Sequence, residues 1–232
     1  GILTLKYMEA RRIPAVRSSL PDWLYELGRF ELGDKWDSML GVLNTQAPVV
    51  LRTNRLIIDR ETLKQELRKE SIETEFAAAA SDGLILNERK NVFSTEAFKL
   101  GYFEIQDGAS QQIAPLLKVE PGQRVIDACA GAGGKTLHLA ALMKNKGKII
   151  AMDVHQRKLD ELRKRCTRAG CDIVESRLIE SSKTIKRLEG TADRVLLDVP
   201  CTGLGVLRRI PDKKWKLEAA EVQDETFLFI WY

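Results

Sequence analysis

The chain has 232 residues, 44% hydrophobic and 30% charged, with a formal net charge of +4. That balance suits a globular protein with a real core, and no apolar run nears the roughly 18 residues of a membrane span. The start, Gly1 to Lys6, is too short an apolar stretch for a secretory signal, and without an initiator methionine the sequence is expected to begin inside a longer one. Cys129, Cys166, Cys171 and Cys201 form no CxxC pair and no ligand cluster with His138 or His155. No metal site and no disulfide framework are expected, and reduced thiols in a cytoplasmic protein are the simplest reading.

Residues 1–46 read as a helical segment. Pro21 and Asp22 suit a helix start, and Trp23, Leu24, Leu27, Phe30, Trp36, Met39, Leu40 and Leu43 recur at helical spacing as candidate core. From Pro48 the period shortens. Strands are expected at 49–54, 56–58, 84–86 and 102–105, with an amphipathic helix over 61–70 carrying Leu63 and Leu67 inward. Residues 47–106 therefore form a small α+β domain. A helix over 108–117 opens a third segment, 107–232, in which strands (124–130, 148–154, 173–176, 194–199) alternate with helices (135–144, 156–169, 182–188). Such alternation implies a parallel sheet with helices on both faces. Val125-Ile126 and Val195-Leu196-Leu197 have the apolar character of strands buried on both sides.

The sharpest local signal is Asp127-Ala128-Cys129-Ala130-Gly131-Ala132-Gly133-Gly134-Lys135-Thr136, placed between a strand and a helix. Glycines there permit tight backbone geometry, and the helix start presents free N–H groups to a ligand. A phosphate-binding P-loop would need glycine at position 129, which is Cys129, and a dinucleotide fingerprint would need a third glycine where Thr136 stands. The third reading is a methyltransferase nucleoside site, because Asp153 closes the next strand 20 residues after Gly133, where a carboxylate can accept from ribose hydroxyls.

A second signal, Asp198-Val199-Pro200-Cys201-Thr202-Gly203, ends the fourth strand and should lie in the same crevice. Basic residues cluster at Arg11, Arg12 and Arg17, at Arg163, Lys164, Arg165 and Arg168, and at Arg208, Arg209, Lys213, Lys214 and Lys216. Phosphate-binding surfaces need such clustering.

These motifs resemble the Sun/NSUN group of RNA cytosine-5 methyltransferases, in its bacterial 16S ribosomal-RNA branch. The match is carried by Leu51-Arg52-Thr53-Asn54, by Phe103 to Ser110, by Asp127 to Thr136 and by Asp198 to Gly203. It continues through Gly205 to Arg209, Pro211-Asp212 and Lys214 to Leu217, and so covers about residues 20–217. The resemblance implies an α/β fold: a Rossmann-like S-adenosylmethionine-dependent methyltransferase domain preceded by a small α+β RNA-binding domain. It implies a cytosine in RNA, ribosomal RNA above all, as substrate. Cys129, Ala130, Gly131, Ala132, Gly133, Gly134 and Lys135 would wrap the cofactor, Asp153 would hold its ribose, and Glu180 is the best match for the adenine-side acid. Asp198 would border cofactor and base. RNA contact falls to Arg52, Arg208, Arg209, Lys213 and Lys214.

In that family a thiolate adds to carbon 6 of cytosine, which activates carbon 5. Cys201 corresponds to the cysteine that resolves the adduct. The nucleophile comes from a later Thr-Cys-Ser motif, which this sequence lacks: the likeness stops after about residue 217, and no cysteine follows Cys201. Missing residues near 218–226, or a truncated chain, are expected, with Phe227 to Tyr232 as a terminal strand. The competing reading is a cofactor- and RNA-binding module without turnover.

Overall fold

The computed structural model describes residues 2–222. Helices α1 (Ile2–Ala10), α2 (Pro14–Arg17), α3 (Asp22–Leu32) and α4 (Lys35–Leu43) come first. Next are β1 (Val50–Thr53), α5 (Arg60–Lys69), β2 (Thr74–Phe76), β3 (Gly83–Leu86), α6 (Glu96–Lys99) and β4 (Phe103–Ile105). Single-turn helices α7 (Gly108–Gln111) and α8 (Ile113–Leu116) lead to β5 (Arg124–Asp127), α9 (Gly134–Leu142), β6 (Lys148–Asp153) and α10 (Gln156–Ala169). The chain continues through β7 (Val174–Leu178), α11 (Ser182–Lys186), β8 (Arg194–Leu196), a 3-10 turn (Leu204–Val206) and α12 (Lys213–Lys216). The terminal strand expected at Phe227 to Tyr232 lies outside the described residues.

Packing divides the chain into two units, residues 1–47 with 200 onward, and residues 48–199. In the first, Leu24, Tyr25, Trp36, Leu40 and Leu43 form a core that also takes in Leu207. Gly28 sits in the middle of α3 because a Cβ there would run into the Trp36 indole. Tyr25 meets the same indole edge-on at 6.3 Å. Phe30, expected among the core aromatics, is 85% exposed. It lies two residues past Gly28, about 200° round the helix, and so faces away.

The second unit holds two four-stranded sheets. One is antiparallel with order β2-β3-β1-β4, and Leu51 pairs with Leu84 and with Ile105 on its two sides. Helix α5 starts where Asp59 accepts a hydrogen bond from the Thr62 N–H, and it buries Leu63 and Leu67 with Leu51, Leu84 and Phe103. The other sheet is parallel with order β7-β6-β5-β8. Alternate residues serve its two faces: Val125, Ile149 and Ala151 pack with Leu139 and Leu162, while Ile126, Ile150 and Met152 pack with Leu188.

Several local expectations change. Residues 56–58 form a turn, with the N–H groups of Ile57 and Ile58 both donating to the Asn54 carbonyl. The helix over 108–117 is interrupted after Gln111, since Pro115 has no N–H to return to that carbonyl. The short elements β2 and α6 have no periodic pattern that announces them. Val195 and Leu197, expected to be buried on both sides, are 53% and 59% exposed, because β8 is the edge of the described sheet. No described helix is long and apolar enough to cross a membrane.

Candidate functional site

In the parallel sheet the chain moves outward from β5 to β6 to β7, then returns to place β8 on the other side of β5. The carboxyl ends of β5 and β8 therefore flank a topological switch point, where open α/β sheets bind ligands. The glycine-rich turn leaves β5 there. It is stitched to both neighbouring strands: the Ala128 N–H donates to the Leu196 carbonyl at 3.0 Å and the Ala130 N–H to the Met152 carbonyl at 2.8 Å. Gly133, at φ 88°, caps α9 in a left-handed conformation, and a Cβ there would strike Leu162 on α10.

Asp153 ends β6. Its Oδ2 accepts from the Gly131 N–H at 3.0 Å and its Oδ1 from the His155 N–H at 2.8 Å. The carboxylate thus holds the turn from below, and each oxygen keeps a second lone pair.

A cavity of about 210 Å³ opens over the turn, lined by Asp127, Cys129, Ala130, Gly131, Gly134, Lys135 and Asp198, with Gln106 and Ser110 on a further wall. The Lys135 ammonium is ion-paired with Asp198, so the first residue of the second motif meets the glycine turn; residues 199–203 are not part of the cavity lining. Ala132, Gly133, Asp153 and Glu180 are not part of that lining. Glu180 is exposed just beyond β7, where the Ile179 N–H donates to the Asp153 carbonyl oxygen.

Asp127, Gln106 and Ser110 had no site role in the sequence reading, although each lies inside a motif. Asp127 is only 1% exposed. Its Oδ2 accepts from the Thr136 hydroxyl at 2.7 Å, and its Oδ1 has no hydrogen-bond partner among the described residues. Burial raises its pKa to about 6, against the opposing pull of the Thr136 hydrogen bond. The Cys129 thiol is pushed up by burial and by the carboxylates of Asp127, Asp153 and Asp198, which disfavours the thiolate. Cys166 and Cys171 are driven by burial to about 11 and about 12 and behave as core thiols.

Cys201 is an exposed free thiol in the segment that packs with the first unit. In that unit Arg208 donates to the carbonyl of Gln46 at 3.0 Å, and Lys213 lies over Gly203. Arg209 is exposed.

Two expected RNA-contacting residues are internal. Arg52 is 2% exposed and donates through Nη1 to Gln106 Oε1 at 2.6 Å and to the Gly134 carbonyl at 2.5 Å, so no phosphate can reach it. Lys214 is 3% exposed and donates to Asn44 Oδ1 at 2.7 Å, with its pKa lowered by burial. Of the basic cluster on α10, Arg165 and Arg168 are paired with buried Glu104. In each case tertiary partners claim a charge that the sequence presents as available. Among the described residues no group of three or more His, Cys, Asp or Glu could hold a metal ion.

Comparison with known proteins agrees with this geometry. Residues 114–227 match the model of the 16S rRNA methyltransferase RsmB/F, and residues 20–93 match the ferredoxin-like domain of the same group. The chain belongs to the RsmB/F family. It is similar to ribosomal RNA small subunit methyltransferase B of Pseudomonas syringae, with 33% identity over 89% of this chain and 46% of that protein. The chain thus spans about half the length of the curated relatives it matches. Among solved structures, a methyltransferase homolog from Pyrococcus horikoshii superposes with a TM-score of 0.74 at 31% identity, over 84% of this chain and 64% of that one. NSun6 from the same organism, crystallised with SFG, has the same fold (TM-score 0.77, 21% identity, 88% of this chain and 76% of that one). An RsmB/F chain is thus a ferredoxin-like domain followed by a Rossmann-like methyltransferase fold, in a family of S-adenosylmethionine-dependent enzymes.

Proposed function

We propose that this chain supplies the methyl-donor site and part of the RNA surface of an enzyme that forms 5-methylcytosine in ribosomal RNA. The observation that carries the reading is the cavity at the switch point, with the Lys135–Asp198 pair across its mouth and an unpartnered, buried Asp127 oxygen in its wall. S-adenosylmethionine fits this donor set. Asp127 Oδ1 suits an ammonium group, the start of α9 offers N–H groups to a carboxylate, and the free lone pairs of Asp153 suit ribose hydroxyls. When bound, the cofactor supplies an electrophilic methyl group.

The remaining chemistry belongs to the protein. Asp127, ionised above about pH 6, holds a cation without facing water. Lys135 holds the Asp198 carboxylate beside the cavity, where Asp198 can accept a hydrogen bond from the edge of a base. Only a base turned out of its stack can enter such a pocket. Cys201 is assigned as the thiol that resolves a covalent base adduct, and Arg208, Arg209 and Lys213 as phosphate contacts beside it.

The test is to incubate the protein with methyl-tritiated S-adenosylmethionine and unmethylated 16S rRNA, then chromatograph the digested RNA. Label recovered as 5-methylcytosine supports the reading. Label on another base overturns it, and donor binding without transfer reduces the chain to a cofactor-binding module. In the active enzyme Cys201→Ala should accumulate a covalent protein–RNA adduct, and clean product release from that variant would count against the role given to Cys201.

A further inference from the structure

Arg52 and Glu104 stand opposite each other across the β1–β4 ladder. Neither contributes to the lining of the cavity, yet Arg52 reaches its turn directly and Glu104 through Arg165. Arg52 Nη1 donates directly to the Gly134 carbonyl at the start of α9. The same nitrogen holds Gln106 Oε1, and Gln106 in turn donates to the Ser110 hydroxyl at 3.3 Å, so two lining side chains take their orientation from it. Glu104, 4% exposed, binds Arg165 of α10 through Nε at 3.1 Å and Nη2 at 2.8 Å. The remaining nitrogen of that guanidinium, Nη1, donates to the Ala132 carbonyl at 2.8 Å. Arg168 closes the cluster by pairing with the other Glu104 oxygen.

We propose that Arg52 and Glu104 are positioning residues for the methyl-donor site: the antiparallel sheet presets the glycine turn of the parallel one. The proposal rests on the cavity being the donor site. Its physical basis is short. A trans peptide unit is planar, so holding a carbonyl also fixes the N–H across the same plane. Arg52 fixes the plane between Gly134 and Lys135, and Arg165, gripped by Glu104, fixes the plane between Ala132 and Gly133. Glycines at positive φ at 131 and 133 would otherwise leave this turn several conformations, and a ligand would bear the cost of ordering it. Burial of Arg52 and Glu104 limits competition from water, and the forked pairing of Arg165 with Glu104 fixes the geometry of the clamp. Arg52 thus acts through the backbone it holds, not through contact with RNA.

The test uses the whole 232-residue chain. S-adenosylhomocysteine binding is measured by titration calorimetry, and hydrogen exchange of the turn amides is followed without ligand. Arg52→Met should weaken binding about tenfold or more and speed exchange across residues 131–135, the scale typical of lost preorganisation. Arg52→Lys, which restores a donor, should recover part of both. Glu104→Gln should act in the same direction by several-fold, and it keeps the question open to test if Arg52→Met folds poorly. The control is Asn54→Ala, which removes hydrogen bonds to the Gly101 and Ala169 carbonyls in the same seam but touches no part of the turn. It should leave affinity within about twofold and turn exchange unchanged. Wild-type affinity and unchanged exchange in Arg52→Met would overturn the proposal alone, as would an equal loss in Asn54→Ala, which would reduce the effect to a loosened seam. A wild-type protein that binds no S-adenosylhomocysteine would overturn the donor-site reading and this proposal with it.

Discussion

The two four-stranded sheets of residues 48–199 bury polar side chains in opposite ways. In the parallel sheet the buried carboxylates, Asp127 and Asp153, sit at strand ends and serve the turn and cavity beside them. In the antiparallel sheet the buried charges, Arg52 and Glu104, sit within the ladder, and their partners lie in the loops and helices of the other sheet. The first arrangement makes a site and the second holds it still. A sheet with one apolar face can do this because its opposite face is free to carry charge, provided every charge finds a partner.

The comparison can be broken or sharpened experimentally. The largest effect should come from the apolar side of the antiparallel sheet. Phe103→Ala empties the centre of its core and should cost about 4 kcal/mol in urea unfolding. Next is the charged side. Glu104→Ala strands two guanidinium groups in the seam and should cost about 3 kcal/mol, whereas a loss within the error of the measurement would mean that water already solvates the cluster.

In the parallel sheet the expected effect depends on pH. Asp127 has a folded pKa near 6 against 3.8 when exposed. A raised folded pKa stabilises the protein below the unfolded value, and that contribution is lost as the pH rises through the folded one. The stability of the wild type relative to Asp127→Asn should therefore fall by roughly 2 kcal/mol between pH 4 and pH 7, since one pKa unit is worth about 1.4 kcal/mol and part of the loss lies below pH 4. A pH-independent difference, from paired urea titrations, would mean that Asp127 is not a titrating buried acid.

The smallest effect belongs to the solvent-facing edge, where Glu175 bonds Lys148 and Arg177 and its pKa drops to about 2 through those hydrogen bonds. The carboxylate is 40% exposed, so Glu175→Gln should change stability by less than about 0.5 kcal/mol at ordinary ionic strength. A larger loss would place that edge with the buried clusters.

The cavity residues were largely legible because strand–turn–helix punctuation is local. Glycines between an apolar strand and an apolar-periodic helix, followed by an acid at the next strand end, have few interpretations. Arg52 and Lys214 were misread for a matching reason. A basic residue between polar neighbours looks solvated, and only a partner far along the chain can make its burial tolerable: Gln106 and Gly134 for Arg52, Asn44 for Lys214. Val195 shows the converse, an apolar residue left exposed because β8 is the edge of the sheet among the described residues.

Composition, the alternation of strand and helix periods, and two motifs at strand ends determined the fold class and pointed to the ends of β5 and β8 as the candidate site. These properties are written in spacings of a few residues, which local backbone geometry reads directly. The tertiary structure decided which charges are spent inside. It paired Arg52 with the start of α9, locked Arg165 against Glu104 and buried one oxygen of Asp127 without a hydrogen-bond partner among the described residues. The two pairings join groups 82 and 61 positions apart, and the free energy of burying a charge is set by such a meeting rather than by its neighbours in sequence.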